Sequence, residues 1–489
     1  MPRALAGVVV FATSAAVLVL EILAGRLLAP YVGITLETFT TIIGVVLAGI
    51  AGGTWIGGHL ADRFQPRVLI GPLLVMGGIL TLITIPIIRT VGPSVTPGQL
   101  VALTMLTMMA LLLPAAALSA VSPAVVKLQL RSLDQTGQIV GQLSALGTFG
   151  ALFGTFVTGF ILVATAPSTG IMIALGGFLV MAGLALWAYL SQLELPSAAS
   201  VAVVALGGGW LTVAIDSPCD LESAYFCASI EVDDERDSGR ILILDTLKHS
   251  YVDLEDPTHI EFEYAKSLID VIDSRFPRGQ PLDALHVGGG GFTLPRYIEA
   301  VRPGSHSLVL ELDPLLVDFV RDELGLVTSE ALRVRTGDAR VGILDLDDDA
   351  YDLVVGDAFG GLAVPWHLTT EEFIEEVERV LRPGGVYVIN LIDYPPDQGF
   401  ARAEAATLAQ VFEHVAVVVP PETFEMARGG NFVLVGSNEP IDTEAIDMSA
   451  RARGDVDVAR SDDDLLPWIR GARVLTDELA PVDQLLGDP

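Results

Sequence analysis

Ala284-Leu-His-Val-Gly-Gly-Gly-Gly291 reads as a short buried strand that runs directly into four glycines. The residues LPRYIEAV that follow predict a helix, and Ser307-Leu-Val-Leu-Glu-Leu-Asp313 predicts a second strand with carboxylates at its end. Glycines let the backbone approach a ligand, and an acid at the end of the next strand accepts ribose hydroxyls. Because Thr293 stands where a dinucleotide fingerprint has its third glycine, the unit predicts a nucleoside site on a Rossmann-like α/β domain.

Two further acids follow predicted strands in the same domain. Asp338 comes after LRVRT in Gly-Asp-Ala339, and Asp357 comes after YDLVV in Gly-Asp-Ala-Phe-Gly360. In open α/β sheets, ligands bind beyond the carboxyl ends of the strands, where Glu311, Asp338 and Asp357 all fall. Each acid alone could equally serve as the N-cap of the next helix. Their recurrence at successive strand ends favours a binding site at this edge of the sheet.

Charge and hydropathy divide the chain into two halves. Residues 1–216 carry seven basic and six acidic side chains, whereas residues 217–489 carry 21 and 54. An acidic half of this kind repels phosphate backbones, which argues against nucleic acid as a partner. Within it, the segments YFCASIEV and RILILD predict strands of a small β subdomain over 217–280. The α/β domain is then expected over 281–440, followed by an acidic C-terminal tail over 441–489.

The first half predicts a multi-span α-helical membrane domain over 1–216, with six to seven helices. A helix that crosses the hydrocarbon core needs about 20 mostly apolar residues. The apolar runs, of which the last is short and contains three consecutive glycines, are 5–28, 38–58, 68–88, 98–126, 142–164, 168–190 and 199–216. Glycines four residues apart, at Gly49, Gly53 and Gly57, predict close helix packing. We therefore expect a multi-pass protein of the cell membrane, in contact with the lipid bilayer.

Two ionisable residues, Glu21 and Arg26, lie toward the end of the first apolar run. An unpaired charge in the hydrocarbon region is costly, so intramembrane charges are usually paired or face a polar cavity. We therefore expect Glu21 and Arg26 to pair with each other or to line such a cavity.

The order of strands, glycine loop and acids resembles the spermidine synthase (polyamine aminopropyltransferase) family over about residues 220–440. Three stretches look like those of family members that are fused to a membrane domain: EILAGRLLAPYVG (21–33), SPAVVKL (122–128) and LDTLKHSYVDL (244–254). The resemblance implies transfer of an aminopropyl group from decarboxylated S-adenosylmethionine, as co-substrate, to a small-molecule amine. Methylthioadenosine would be released. No bound cofactor is implied, and homo-oligomerisation is left open.

The resemblance also assigns roles to residues of this chain. It implies that Glu311 holds the ribose, that Asp338 holds the adenine amino group, and that Asp357 is the catalytic base. The residues expected to bind the adenosyl-sulfonium nucleoside are Glu311 and Asp338 together with Gly288, Gly289, Gly290 and Ala339.

Two positions on the acceptor side depart from the family pattern. The fourth loop position, an acid in the family, is Gly291 here, and the second acid of the catalytic loop is replaced by Gly360. His249 and Glu261 are the other candidate acceptor-side residues. Because the amine side has lost two carboxylates, two alternatives stay open. One is an S-adenosylmethionine-dependent methyltransferase, and the other is a transporter or sensor that binds nucleoside or polyamine without turnover.

The membrane orientation receives conflicting indications. Basic residues after the second and fourth runs predict that those loops are cytoplasmic. Seven spans would then place the acidic half outside, where the two cysteines, Cys219 and Cys227, could form a disulfide. Adenosyl-sulfonium nucleosides, however, are made in the cytosol, and a seventh run that does not span would leave the acidic half there. Two cysteines are too few for a structural zinc site, and no metal is expected.

Overall fold

The computed structural model describes residues 1–96, 98–130, 132, 135–191 and 207–487. The chain divides into two compact units. The first consists of Met1–Ser229 with Leu244–Thr246, and the second consists of Ile230–Ile243 with Leu247–Pro489.

Among the described residues of the first unit, six helices are long and apolar enough to cross a membrane, which confirms the helical character predicted for the first six runs. They are α1 (Arg3–Val32), α2 (Leu36–Arg63), α3 (Pro66–Ser94), α4 (Leu100–Gln129), α5 (Thr136–Thr165) and α6 (Ser168–Ser191). The seventh predicted run, 199–216, begins outside the described residues. Its described part forms a short helix, α7, over 207–214.

Glycines allow close contact between α2 and α4, as their spacing predicts. A Cβ on Gly53 would lie 2.2 Å from the carbonyl oxygen of Ala116, and one on Gly57 would lie 2.5 Å from that of Ala120. A Cβ on Gly49 would likewise lie 2.9 Å from a backbone oxygen of α4. The backbones of the two helices therefore touch at positions that no larger residue could occupy.

The second half of the chain begins with four short strands that form a sheet in chain order: β1 (Leu221–Glu222), β2 (Cys227–Val232), β3 (Gly239–Leu244) and β4 (Leu247–Asp253). The strands of the larger sheet are β5 (Asp283–Val287), β6 (His306–Glu311), β7 (Leu332–Thr336), β8 (Tyr351–Gly356), β9 (Leu381–Asp393), β10 (His414–Val419), β11 (Gly430–Ser437) and β12 (Val458–Ser461). The helices are α8 (Glu263–Arg275), α9 (Thr293–Val301), α10 (Pro314–Leu324), α11 (Ala339–Gly342), α12 (Glu371–Val380), α13 (Gly399–Val411), α14 (Pro421–Phe424), α15 (Thr443–Arg453), α16 (Asp462–Ile469) and α17 (Val482–Leu485).

The eight strands of the large sheet are arranged in the order β12-β10-β11-β9-β8-β5-β6-β7. Neighbouring strands from β9 to β7 are parallel, whereas β9, β11, β10 and β12 pair antiparallel. Buried residues on the two faces of this sheet belong to separate apolar clusters. The arrangement is the predicted Rossmann-like, methyltransferase-type α/β fold with a small β sheet ahead of it.

The segment 441–489, which we predicted as an acidic tail, is part of this folded unit. Strand β12 pairs with β10 along Val458–Ser461, and Ile446 of α15 is fully buried. The Asp447 carboxylate accepts a hydrogen bond from the backbone N–H of Ala459. Periodic apolar residues in an otherwise charged segment were the sequence signal for these elements, and the high charge of the segment obscured that signal.

The close contact between α2 and α4 predicts different effects for two adjacent glycines. Replacing Gly53 by Ala should lower the melting temperature of the purified protein in detergent, because overpacking typically costs about 1–3 kcal/mol. Gly52→Ala is the matched control, since a Cβ there meets nothing within 4 Å. Equal melting temperatures for the two variants would contradict the close packing.

Candidate active site

The order of the large sheet reverses at β5, which has β6 on one side and β8 on the other. At such a point, the loops that follow adjacent strands leave the sheet toward opposite faces, and a crevice opens between these loops. The glycine loop follows β5, Glu311 ends β6 and Asp357 follows β8. Three of the predicted site elements thus meet at the carboxyl edge of adjacent strands.

Gly288 forms the closest approach within this crevice. Its φ of +94° lies in the left-handed region, and a Cβ there would be 2.4 Å from the carbonyl oxygen of Asp357. The Asp357 N–H donates to the carbonyl oxygen of Val287 at 2.9 Å, and the Gly288 N–H donates to that of Leu310 at 2.9 Å. Only glycine satisfies both the backbone angle and the available space.

Glu311 lies beneath the glycine loop and is buried. Its Oε2 accepts hydrogen bonds from the N–H groups of Gly289 at 2.8 Å and Gly290 at 3.4 Å. Its Oε1 accepts one from the N–H of Asp313 at 3.0 Å. Burial raises the pKa of the Glu311 carboxyl, and these backbone hydrogen bonds oppose that rise. The carboxylate therefore orders the loop while some of its lone pairs stay available.

Asp338 follows β7 and caps the short helix α11. One of its oxygens accepts a hydrogen bond from the N–H of Arg340 at 2.8 Å, so the helix-cap interpretation applies at this position. The same oxygen lies 3.5 Å from Nε2 of His367. The carboxylate is also substantially exposed, which leaves it accessible to a ligand, and Ala339 beside it is buried.

Asp357 is buried and held by two side chains that the sequence analysis did not identify. The amide nitrogen of Asn390 donates to Asp357 Oδ1 at 3.0 Å, and the Tyr264 hydroxyl donates to Oδ2 at 3.4 Å. Burial raises the pKa of the Asp357 carboxyl to about 6, and both hydrogen bonds oppose this rise. The group is therefore mostly ionised at neutral pH but remains able to take up a proton.

The partners of Asp357 are themselves constrained. Asn431 donates from its amide nitrogen to the side-chain oxygen of Asn390 at 3.0 Å, which orients the Asn390 amide group toward Asp357. Burial, together with the charge of Asp357, raises the pKa of Tyr264, so this hydroxyl keeps its proton and acts as a donor. Asn431 thus orients Asn390, and Asn390 and Tyr264 in turn hold the Asp357 carboxylate.

Strand β4 covers the glycine loop and brings the predicted acceptor-side residue His249 close to it. A Cβ on Gly290 would lie 3.0 Å from Nδ1 of His249, and the N–H of Gly291 donates to the Ser250 hydroxyl at 3.0 Å. Burial lowers the pKa of His249 to about 4, so the imidazole is neutral at physiological pH. Gly291 thus faces a hydroxyl group rather than open space.

A cleft opens beside Asp357. Its wall combines carboxylates, aromatic rings and apolar side chains: Ser250, Tyr251, Ile260, Glu261, Phe262, Tyr264, Ala265, His286, Gly288, Gly289, Thr293, Leu294, Pro295, Val355 and Asp357. Of the predicted acceptor-side residues, only Glu261 lines this cleft. Gly360 instead donates its N–H to the carbonyl oxygen of Ala363 within its own loop.

The predicted intramembrane residues belong to the first unit. The guanidinium of Arg26 donates to the carbonyl oxygens of Ser223 and Ala224 and to the Ser168 hydroxyl. It also lines a second cleft, together with the cysteines of the Cys219–Cys227 disulfide. Because Glu21 is five residues from Arg26 on a helix, the two side chains point about 140° apart. Arg26 therefore lines a cavity, which is one of the two arrangements expected for it.

Tyr264, Asn390, Asn431 and His286 are the candidate site residues that the sequence analysis did not identify. Asn390 lies within the otherwise apolar strand β9, and its buried side-chain amide is the only local sign of a polar role. Tyr264 reaches Asp357 from a distant part of the chain, and Asn431, from another, reaches Asn390. No motif links these positions, because their proximity depends on the pairing of β9 with β8 and β11.

Comparison with known proteins supports the resemblance predicted from sequence. The methyltransferase domain family matches residues 285–389. The polyamine aminopropyltransferase of Vibrio vulnificus is 28% identical over 213 residues, which are 42% of this chain and 70% of that protein. That of Chromobacterium violaceum is 24% identical over 195 residues, 40% of this chain and 72% of its own. A probable spermidine synthase from Corynebacterium glutamicum, known from a crystal structure, is 28% identical in sequence. The match covers 54% of this chain and 96% of that protein, with a TM-score of 0.49.

The two aminopropyltransferases confirm the similarity to the spermidine synthase family. The region that matches the methyltransferase domain family, residues 285–389, contains the glycine loop, Glu311, Asp338 and Asp357. The similarity supports an enzyme of the aminopropyltransferase or methyltransferase type in general.

The close approach at Gly288 predicts a loss of nucleoside binding when a Cβ is added. Gly288→Ala should weaken methylthioadenosine binding by at least about ten-fold in calorimetry, because the added carbon pushes the loop away from Asp357. Gly304→Ala is the matched control, with a similar φ of +91° but no atom nearer than 3.5 Å to the added Cβ. It should share the backbone strain and keep the affinity within about two-fold. Equal affinities would show that the approach is not needed for binding.

Proposed function

We propose that this protein is a membrane-anchored aminopropyltransferase. It would move the aminopropyl group of decarboxylated S-adenosylmethionine to a small amine and release methylthioadenosine. The single observation that carries this proposal is the environment of Asp357: a buried carboxylate, held by Asn390 and Tyr264, which lines a cleft beside the glycine loop.

The reaction needs a base in the position that Asp357 occupies. A primary amine has a pKa near that of lysine, about 10.4, and is protonated at neutral pH. The bound ammonium gives a proton to Asp357, and its nitrogen then attacks the methylene carbon beside the sulfonium. The carbon–nitrogen bond forms as the carbon–sulfur bond breaks, and the electron pair of that bond stays on sulfur. The proton on Asp357 returns to solvent, while the product amine carries the positive charge.

The surroundings of Asp357 suit this role. Its pKa of about 6 leaves it ionised at pH 7 but makes it a better proton acceptor than an exposed aspartate. Tyr264 and Asn390 each donate a hydrogen bond to it, and this favours the charged form that must accept the proton. A positioned general base of this kind contributes about 10²–10⁴ in rate.

The cleft supports a cationic acceptor even though Gly291 and Gly360 replace acids of the family. Glu261 and Asp357 supply carboxylates to the cleft, and Tyr251, Phe262 and Tyr264 supply aromatic rings. Carboxylates attract an ammonium, and the faces of aromatic rings also attract cations. The surviving groups therefore provide a site of the required charge.

Glu311 and Asp338 are the residues that we assign to the nucleoside. Glu311 has unused lone pairs beside the loop, which suit ribose hydroxyls, and the exposed Asp338 suits an exocyclic amino group. Gly288, Gly289 and Gly290 would let the loop backbone approach the ligand.

A methyltransferase is the second candidate, and the match of residues 285–389 to the methyltransferase domain family favours it. It would use S-adenosylmethionine and leave S-adenosylhomocysteine. The buried carboxylate and the acidic cleft support an amine nucleophile in either reaction, so the donor separates the two. Incubation of the purified protein with each donor and a panel of diamines, followed by mass spectrometry, distinguishes the products. Release of S-adenosylhomocysteine without methylthioadenosine would replace our proposal by this alternative.

Asp357→Asn should abolish most aminopropyl transfer because it removes the base and keeps the shape of the side chain. We expect turnover to fall by about 10²–10⁴, measured as methylthioadenosine release, with methylthioadenosine affinity retained within a few-fold. Asp318→Asn is the control, since Asp318 is an exposed acid on α10 paired with Arg321. Undiminished turnover in Asp357→Asn would remove this residue from the mechanism.

The wild-type pH profile provides a second measurement for the same residue. The base must be ionised, so kcat/KM should rise with pH through about 6, where the Asp357 carboxyl loses its proton. A rate that is constant between pH 5 and 7 would contradict the assignment.

A further inference from the structure

His286 lies at the bottom of the cleft beside Asp357. It is on β5 and is paired in register with Val355 of β8, and both residues line the cleft although they are only 2% and 1% exposed. Within the described part of the chain, Nε2 of His286 is buried and has no hydrogen-bond partner. The imidazole thus brings an unpaired nitrogen to the wall of the cleft.

An unpaired buried polar group is costly. A donor or acceptor without a partner loses its hydrogen bonds to water and gains none in return, and an aliphatic residue would fill the same space without that cost. Burial lowers the pKa of His286 to about 3, so the ring is neutral at physiological pH. It can therefore offer a hydrogen bond to a ligand but no charge.

The strand register places His286 at a defined separation from the base. Side chains alternate between the two faces of a strand, so Val355 and Asp357 share the face onto which His286 projects. Because His286 is level with Val355, it is two residues below Asp357, or about 7 Å along the strand direction. Ala265 and Leu294 line the cleft as well and supply an apolar surface.

We propose that His286 determines acceptor specificity by binding the second nitrogen of a short diamine whose first nitrogen is at Asp357. This inference rests on the proposed function. The neutral imidazole accepts a hydrogen bond from the distal ammonium, and the alkyl spacer lies along the apolar wall. A monoamine of the same length would leave Nε2 without a partner. The cleft would therefore discriminate by the number of nitrogens as well as by charge.

The test compares two amines and two proteins. Calorimetry in saturating methylthioadenosine measures the affinity of 1,4-diaminobutane and of butylamine for the wild type and for His286→Leu. We expect the wild type to prefer the diamine and His286→Leu to lose about ten-fold or more of that preference, since a hydrogen bond to a charged group is lost. The butylamine affinity and the methylthioadenosine affinity should stay within two-fold. His286→Gln, which restores an acceptor, should recover part of the preference.

The outcomes separate this inference from the proposed function. Full diamine preference in His286→Leu would overturn the role of His286 while leaving the reaction intact. Wild-type protein that binds methylthioadenosine but neither amine would overturn the acceptor class, and with it both proposals.

A second inference is about the side of the membrane on which the residues after 215 lie, and it rests on contacts within the first unit. At one end of the helices, Lys127, near the end of α4, forms an ion pair with Asp62 of α2 at 2.5 Å. The basic residues Arg63 and Arg67 belong to the same end. Basic loops between spans are retained in the cytoplasm.

The chain that leads out of this unit contacts the opposite end. The Arg89 guanidinium, near the end of α3, donates to the carbonyl oxygens of Thr212 and Ile215. The Thr169 hydroxyl, at the start of α6, donates to Glu222 at 2.7 Å. Helix α6 runs antiparallel to α3, because a Cβ on Gly71 would meet Trp187 and one on Gly78 would meet Val180. The chain therefore ends α6 at the basic end and is at the other end by residue 212.

We infer that the residues after 215 are on the non-cytoplasmic side of the membrane. Among the described residues beyond 215, no helix is long and apolar enough to return. The Cys219–Cys227 disulfide is consistent with this side, because disulfides persist in oxidising compartments. The amine and the nucleoside would then have to be supplied there.

Impermeant maleimide applied to intact cells tests this sidedness independently of activity. After treatment with an impermeant reductant, the native cysteines should be labelled without lysis. A Cys219→Ser/Cys227→Ser protein that carries Arg63→Cys is the control and should be labelled only after lysis. Labelling of Cys219 and Cys227 only after lysis would overturn the inference.

Discussion

Strands β5 and β8 end side by side, and the backbone at Gly288 lies against the Asp357 carbonyl with no room for a side chain. This approach brings the loop that would hold a nucleoside next to the carboxylate that would receive a proton. Every other feature of the candidate site is arranged around it. Glu311 orders the loop from below, and β4 covers it from above through Ser250.

The cost of burying Asp357 explains why so many polar groups converge on it. Burial raises the pKa of the carboxyl to about 6, and without hydrogen bonds the charged form would be disfavoured further. Asn390 and Tyr264 oppose this effect, and Asn431 orients Asn390. The balance leaves a group that is charged at neutral pH yet basic enough to accept a proton. This is the property that transfer to an amine requires.

The two departures from the family pattern, Gly291 and Gly360, look different once the fold is known. The Gly291 N–H donates to the Ser250 hydroxyl, and the Gly360 N–H donates to the carbonyl oxygen of Ala363 within its own loop. The polar groups that do face the cleft come from other elements. Glu261 precedes α8 and His286 is within β5. Our proposal of an amine acceptor site therefore rests on these groups and not on the two glycine positions.

Local sequence determined the features that depend on neighbouring residues. Apolar runs predicted the six long helices described here, and glycine spacing predicted close helix packing, which α2 makes with α4. Acids after apolar strands made Glu311, Asp338 and Asp357 candidate site residues. These signals are local because hydrophobic burial and strand ends follow the periodicity of a single segment. Tertiary structure alone decided three other features: the folding of the C-terminal segment, the hydrogen bonds from Asn431 through Asn390 to Asp357, and the unpaired nitrogen of His286. Each depends on which strands pair and in what register, and that choice is set by contacts between residues far apart in sequence.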